Sequence, residues 1–289
     1  MTSLADSPTT ELVVDDHIRD VTDDEVATYE REGWVKLDGL LSPELAGALL
    51  EVARGRAGDA GSDDALAVNG AWGEANVACS PGGELFAAMA LSPRMGRNAA
   101  RLVNRSRLTD EAIPTRYFAD GLGVRAGRGN GPSTHFHQDY VPQSQDRGGA
   151  INIWIALAAV AADQGGMRFL SGSHREARLG PLYAGGVPDA RAAANRHPAV
   201  ADLHYPKLGE LYELSDGVVY EPGDATVHGA YTVHCAPANL SQRSRWNYLV
   251  SYLPDDVRYD GSPNHALDGL DLTKGQTFDH ERFPVVHPG

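Results

Sequence analysis

The sequence predicts an α+β fold in which helices back a β-sandwich or barrel, and three observations carry that expectation. Helix signals come early, with a capping box at Thr22-Asp23-Asp24-Glu25 and a Ser42-Pro43 start. From about residue 130 the pattern changes to short apolar runs separated by turns. Glycine and proline supply those turns: 32 and 17 of 289 residues, about 17% against roughly 12% in average usage.

Taken in order, residues 1–16 carry Ser, Thr, Pro and acids without a period and predict a mobile tail, leaving 17–289 as one domain. A first helix starts after Thr22 and stops at Gly33. Trp34-Val35-Lys36-Leu37 then alternates like a half-buried strand. A second helix follows Ser42, with Leu45, Leu49, Val52 and Ala53 at helical spacing. Residues 55–70 are rich in Gly, Ala and Asp and read as a loop. Runs at 150–157, 167–170, 217–220, 225–227 and 246–252 read as strands.

Composition excludes several classes. The net charge of −14 is wrong for nucleic acid or an anionic membrane, which call for basic surface. The longest apolar run, residues 153–162, is too short to cross a bilayer. The first basic residue is Arg19, so no charged segment precedes an apolar stretch as in a secretory signal. Cys79 and Cys235 make no disulfide framework and read as reduced thiols in a cytoplasm. A soluble cytoplasmic protein is expected.

The chemistry concentrates in two segments. In Thr134-His135-Phe136-His137-Gln138-Asp139, strand alternation would put His135, His137 and Asp139 on one face. A His and a carboxylate at that interval can share a metal, and two His with one carboxylate is the facial set preferred by non-haem Fe(II). The second segment carries His228, then His234, Pro237, Asn239, Ser241 and Arg245. His234 and Arg245 read as strand, turn and next strand, a hairpin that brings the guanidinium beside a metal on His234. Arg suits a carboxylate because its planar fork pairs with both oxygens.

These residues resemble the phytanoyl-CoA dioxygenase family of Fe(II)/2-oxoglutarate oxygenases. The opening stretch Tyr29 to Leu37 with Leu41-Ser42-Pro43-Glu44-Leu45 is similar to the family's first helix, strand and helix. His137-Gln138-Asp139 is similar to its metal motif, Trp154-Ile155-Ala156-Leu157 and Gln164 to His174 to its central strands and turn, and the His234–Arg245 series to its distal motif. The resemblance implies a double-stranded β-helix (jelly roll, cupin-like) with helices packed on one sheet. It implies Fe(II), 2-oxoglutarate and O2 as metal, cosubstrate and oxidant. By the same resemblance His137, Asp139 and His234 are the iron ligands, Arg245 pairs with the far carboxylate of 2-oxoglutarate, Ser241 assists it, and Trp154 lines the cosubstrate pocket. One departure stands at Ala236, where the family often has Ser; a cosubstrate hydrogen bond is lost there.

The other polar residues have plainer readings. His135 faces the substrate pocket or simply the strand, His228 competes with His234 as a ligand, and His174 is structural. Trp34, Trp72 and Trp246 are read as core. A composition rich in Gly, Ala and Arg and poor in Lys points to a bacterial genome of high GC content and to tailoring of a secondary metabolite by hydroxylation, desaturation, epimerisation or oxidative cyclisation. The net charge favours a neutral or cationic small-molecule substrate over a polyphosphate or CoA ester. The rival reading is a cupin-like, metal-dependent sugar-binding or isomerising protein; it has no use for a cation at Arg245.

Overall fold

The computed structural model describes residues 12–103, 113–127, 131–139, 144–176, 178–180, 182, 198–264 and 267–289. Helix α1, Asp23–Glu32, is closed by the expected capping box and stops at Gly33, which adopts φ 78°. Glycine is required there: a Cβ would lie 2.3 Å from the His174 ring and 2.8 Å from the Thr232 hydroxyl. Strand β1, Trp34–Leu37, follows, and then α2, Pro43–Ala57, with Ser42 as its cap. Two expectations need correction here. Residues 55–70 are not a loop, because α2 runs on to Ala57 and Ser62 caps a further helix, α3, Asp63–Asn69. Nor does the tail reach residue 16, since Val14–His17 form a 3-10 turn; residues 1–11 lie outside the described residues.

Besides short 3-10 turns, the remaining elements are β2, Ala71–Ala75; α4, Glu84–Ala90; α5, Pro93–Leu102; β3, Thr115–Arg125; β4, Thr134–His137; β5, Ile151–Ala156; β6, Arg168–Phe169; a one-turn helix α6, Leu208–Leu211; β7, Ala225–Gly229; β8, His234–Ala236; β9, Arg245–Pro254; and β10, Val285–His287. They build two antiparallel sheets. The larger runs β1-β7-β5-β9-β3-β10 with β2 also on β3, and the smaller runs β4-β8-β6. Residues 217–220, expected as a strand, make only a single bridge from Tyr220 to Val160.

Strand β5 explains the layering. All six of its residues are buried. Ile151, Ile153 and Ile155 join the core shared with Leu45 and Leu49 of α2, Phe86 and Met89 of α4, and Met95 and Ala99 of α5. Trp154 and Ala156 join a separate cluster with Phe169 of the small sheet. A near-continuous apolar run is what a strand covered on both faces requires. The inner face of the large sheet can therefore be read in rungs. His228, Asn152 and Ser251 align across β7, β5 and β9, followed by Thr226, Trp154 and Leu249. Two further steps along β9 come Asn247 opposite Gly123 and Arg245 opposite Arg125. Among the described residues no helix is long and apolar enough to cross a membrane.

Candidate active site

His137 ends β4, and the strand register sets it opposite His234 at the start of β8. Their ring centroids are 4.2 Å apart. Asp139 follows in the turn beyond β4; its Oδ1 lies 3.3 Å from His137 Nε2 and its Oδ2 3.6 Å from His234 Nε2. One donor atom from each residue lies within 4.8 Å of the others. The tautomers suit a metal. His137 Nδ1 donates to the His135 carbonyl at 2.7 Å, and His234 Nδ1 donates to the Thr232 carbonyl at 3.0 Å. Each Nε2 is therefore free of the backbone and points at the carboxylate. Two imidazole nitrogens and one carboxylate fit a divalent ion of the Fe(II) type.

The charge states of His234 and Asp139 agree with this, while His137 shares a proton with Asp139 that a metal would displace. Burial, reinforced by the charge of His137, holds the His234 pKa well below its usual value, so its ring is neutral. Burial opposes ionisation of Asp139, but His234, His137 and His228 outweigh it and hold the carboxyl well below the usual range. Burial also lowers the pKa of His137, and the hydrogen bond and charge of Asp139 reverse that into a net rise.

Two further side chains hold the carboxylate: His228, which the sequence offers as a rival ligand, and Asn152, which the sequence did not reveal. His228 Nε2 donates to Asp139 Oδ2 at 2.9 Å, Asn152 Nδ2 donates to the same oxygen, and the Ser251 hydroxyl donates to Asn152 Oδ1. His228 thus serves the carboxylate from the rung described above rather than standing in for His234. An outer shell of this kind fixes the orientation of a metal-binding carboxylate.

The cavity in front of this cluster has a volume of about 270 Å³, and Arg245 lies on its wall. Arg245 is 2% exposed; its guanidinium sits 5.5 Å from the Trp154 ring centroid and donates to the Gly165 carbonyl, and its Nε is buried with no partner among the described residues. Burial lowers its pKa to about 9, so it remains cationic at neutral pH. The path by which it arrives differs from the expected hairpin. β8 pairs with β4 and β6, whereas β9 pairs with β5 and β3, so the chain crosses between sheets after His234. Arg245 meets the metal cluster because the two sheets face each other over the cavity.

Other expectations fall out as follows. Trp154 lines the cavity as expected, and Ala236 lines it too. Ser241 does not: its hydroxyl bonds Asn239 Oδ1 at 2.9 Å and the Arg243 carbonyl at 3.1 Å, which ties the turn between the sheets. His135 does not line it either. A register shift between Thr134 and His137 breaks the alternation, so Thr134 and His137 both reach the cavity and His135 is displaced from it. Trp72, expected in the core, is half-buried and lines the cavity from β2. Both cysteines are free; Cys235 is buried, and burial raises its thiol to about 12.

Two facing antiparallel sheets, helices on the outer face of one, and a His/Asp/His cluster opposite a buried arginine define the double-stranded β-helix oxygenase class. The chain matches the phytanoyl-CoA dioxygenase family over residues 29–246. It belongs to that family, and is an Fe(II)/2-oxoglutarate-dependent enzyme. Among curated proteins none matches it by sequence. Solved structures do match by fold. The 2-oxoglutarate-dependent carbocyclase SnoK from nogalamycin biosynthesis aligns with a TM-score of 0.65 at 22% identity, over 92% of this chain and 96% of that one. The epimerase SnoN of the same biosynthesis aligns with a TM-score of 0.64 at 23% identity, over 91% and 98%. EctD from S. alaskensis, solved with 2-oxoglutarate and 5-hydroxyectoine, aligns with a TM-score of 0.61 at 18% identity, over 86% and 82%.

Proposed function

We propose that this chain oxidises a small molecule of bacterial secondary metabolism, in the cytoplasm, with His137, Asp139 and His234 as iron ligands and Arg245 as the anchor of 2-oxoglutarate. The observation that carries the role of Arg245 is its position: a buried guanidinium whose Nε has no partner among the described residues, on the wall of the same cavity as the His/Asp/His cluster. The iron and cosubstrate, when bound, supply the oxidising power that removes hydrogen from the substrate. The chain's own residues do the rest. The two Nε2 atoms and Asp139 present one donor face; His228 and Asn152 hold the carboxylate in place. Arg245 receives the far carboxylate of the cosubstrate through a charge-assisted pair, and Trp154 forms the wall beside it. Ser241 keeps a structural task in the turn. The apolar wall of Trp154, Met167, Ala236 and Leu249 keeps water from the reacting groups.

The fold neighbours act in carbocyclisation and epimerisation on the route to nogalamycin, which supports a tailoring role here. The expectation of a neutral or cationic substrate rested on the charge of the whole chain. Among the described residues, however, Asp139 is the only carboxylate lining the cavity, against Arg125 and Arg245, and the local sign is basic. A cupin-like isomerase leaves Arg245 buried with no counterion. The deciding experiment is succinate formation from 2-oxoglutarate with Fe(II) and ascorbate. Turnover in the wild type that is lost in Arg245→Gln supports the reading; no succinate under any metal condition refutes it.

A further inference from the structure

The Gly172-Ser173-His174 turn has no part in the chemistry described so far. It packs on the end of α1, where the His174 ring lies against Gly33. The Gly33 carbonyl accepts the Gly229 N–H at 3.1 Å and the Thr232 hydroxyl at 2.6 Å. Gly229 ends β7 and Thr232 stands just before β8, so one helix end grips the segment between His228 and His234. Ser173 grips it from another side: its Oγ accepts the Val233 N–H at 2.9 Å.

These bonds converge on one peptide group. The Thr232 carbonyl accepts from His234 Nδ1 at 3.0 Å, and the N–H of the same peptide, on Val233, donates to Ser173. The turn does not need the two hydroxyls for closure, because the Thr232 N–H already donates to the Gly229 carbonyl at 2.9 Å. Ser173, Thr232 and Val233 are all 0% exposed, so each hydroxyl has exchanged water for a protein partner. What the hydroxyls add is direction. A peptide held through its N–H, and anchored through the side chain before it, cannot rock, and its carbonyl then fixes the plane of the imidazole. The chain of bonds from Ser173 through the peptide to Nδ1 polarises in one sense and strengthens Nε2 as a donor toward a metal.

We propose that Ser173 and Thr232 are positioning residues for His234: their hydroxyls hold the Thr232–Val233 peptide, whose carbonyl orients the imidazole toward the metal. The inference rests on the reading of His234 as an iron ligand. It gives the Gly-Ser-His turn a role at the metal centre and makes the end of α1 a support of the site, although none of Gly33, Ser173 and Thr232 lines the cavity.

The test uses the full chain loaded with Co(II), whose paramagnetism moves the N–H protons of bound imidazoles far from the other signals in a proton NMR spectrum. The wild type should show two such exchangeable signals, one from Nδ1 of His137 and one from Nδ1 of His234. Thr232→Val keeps the side-chain shape and loses the hydroxyl; it should move one signal, speed its exchange with water, and leave the other in place. Co(II) affinity, read by competition with a chelating dye, should fall by roughly tenfold in Thr232→Val and in Ser173→Ala, and stay within about threefold of the wild type in Thr232→Ser. The double variant should lose less than the product of the single losses, because both hydroxyls act through one peptide. Leu66→Ala in α3 is the control: it lowers the melting temperature and moves neither signal. Unchanged signals and affinity in Thr232→Val overturn the proposal, and so do equal affinity losses in Thr232→Val and Thr232→Ser. If neither Thr232→Val nor Ser173→Ala folds, the hydroxyls belong to the fold at large and the proposal fails. Full Co(II) affinity in His234→Ala refutes the ligand assignment itself; a loss there with none in Thr232→Val refutes the positioning role alone.

Discussion

At the metal end of the cavity one carboxylate, Asp139, is met by His137, His228, His234 and Asn152. At the far end two guanidiniums, Arg125 and Arg245, line the wall with no carboxylate among the described residues beside them. The first region is compensated from within and is built in advance. The second is left with charge that only a ligand can balance. Burying an unpaired ion costs several kcal/mol, so a chain that keeps one in a cavity has a use for it. The contrast separates residues that shape the site from residues that recognise what enters it.

The sharpest way to break this contrast is to remove a residue from the metal end. His137→Ala, Asp139→Ala and His234→Ala are each expected to abolish turnover, with metal affinity falling beyond the roughly 10- to 100-fold that removal of an outer-shell partner costs. Metal titration of the purified variants checks this. Retained activity in His234→Ala beside a dead His228→Ala would show that the distal ligand is His228.

At the other end, Arg245→Gln should weaken 2-oxoglutarate by about 2 to 5 kcal/mol while metal affinity stays nearly intact. Calorimetric titration of 2-oxoglutarate into metal-loaded protein measures it, and an unchanged affinity contradicts the assignment. Smaller is the effect of the outer shell. Asn152→Ala should reduce metal affinity by roughly tenfold or somewhat more, because Asp139 loses a hydrogen bond but not its place. A change as large as in Asp139→Ala would mean that Asn152 positions the whole turn. The smallest effect belongs to Ser241→Ala. It should lower stability by about 1 kcal/mol through the turn and leave 2-oxoglutarate affinity unchanged, as thermal melts and the same titration would show. A selective loss of cosubstrate affinity would restore Ser241 to the site.

What could be read from the sequence was whatever depends on local chemistry. The caps at Thr22 and Ser42, the alternation of β1 and the His137–Asp139 interval rest on residue type and short spacing, whereas the roles of His234 and Arg245 came from the resemblance to the family. What escaped depends on register. Asn152 sits in an apolar run and gains its meaning only because β5 aligns it with His228 and Ser251. Thr134 reaches the cavity through an irregularity in β4 that no alternation rule anticipates. Arg125 ends a strand whose pattern is broken by Gly121 and Gly123, so β3 itself went unrecognised. Trp72 reads as core because a large aromatic residue is highly buried on average, yet it lines the cavity. Arg245 reaches the cavity by a crossing between sheets, which a spacing of eleven residues fits as well as it fits a hairpin.

The most direct measurement is a crystal structure of the protein with Fe(II) and 2-oxoglutarate under anaerobic conditions, with anomalous data at the iron edge. The account predicts an anomalous peak bonded to His137 Nε2, His234 Nε2 and Asp139, and the far carboxylate of 2-oxoglutarate within hydrogen-bond distance of Arg245, about 2.7 to 2.9 Å. Iron on His228 in place of His234, or the far carboxylate on Arg125 with Arg245 left unpaired, would contradict it.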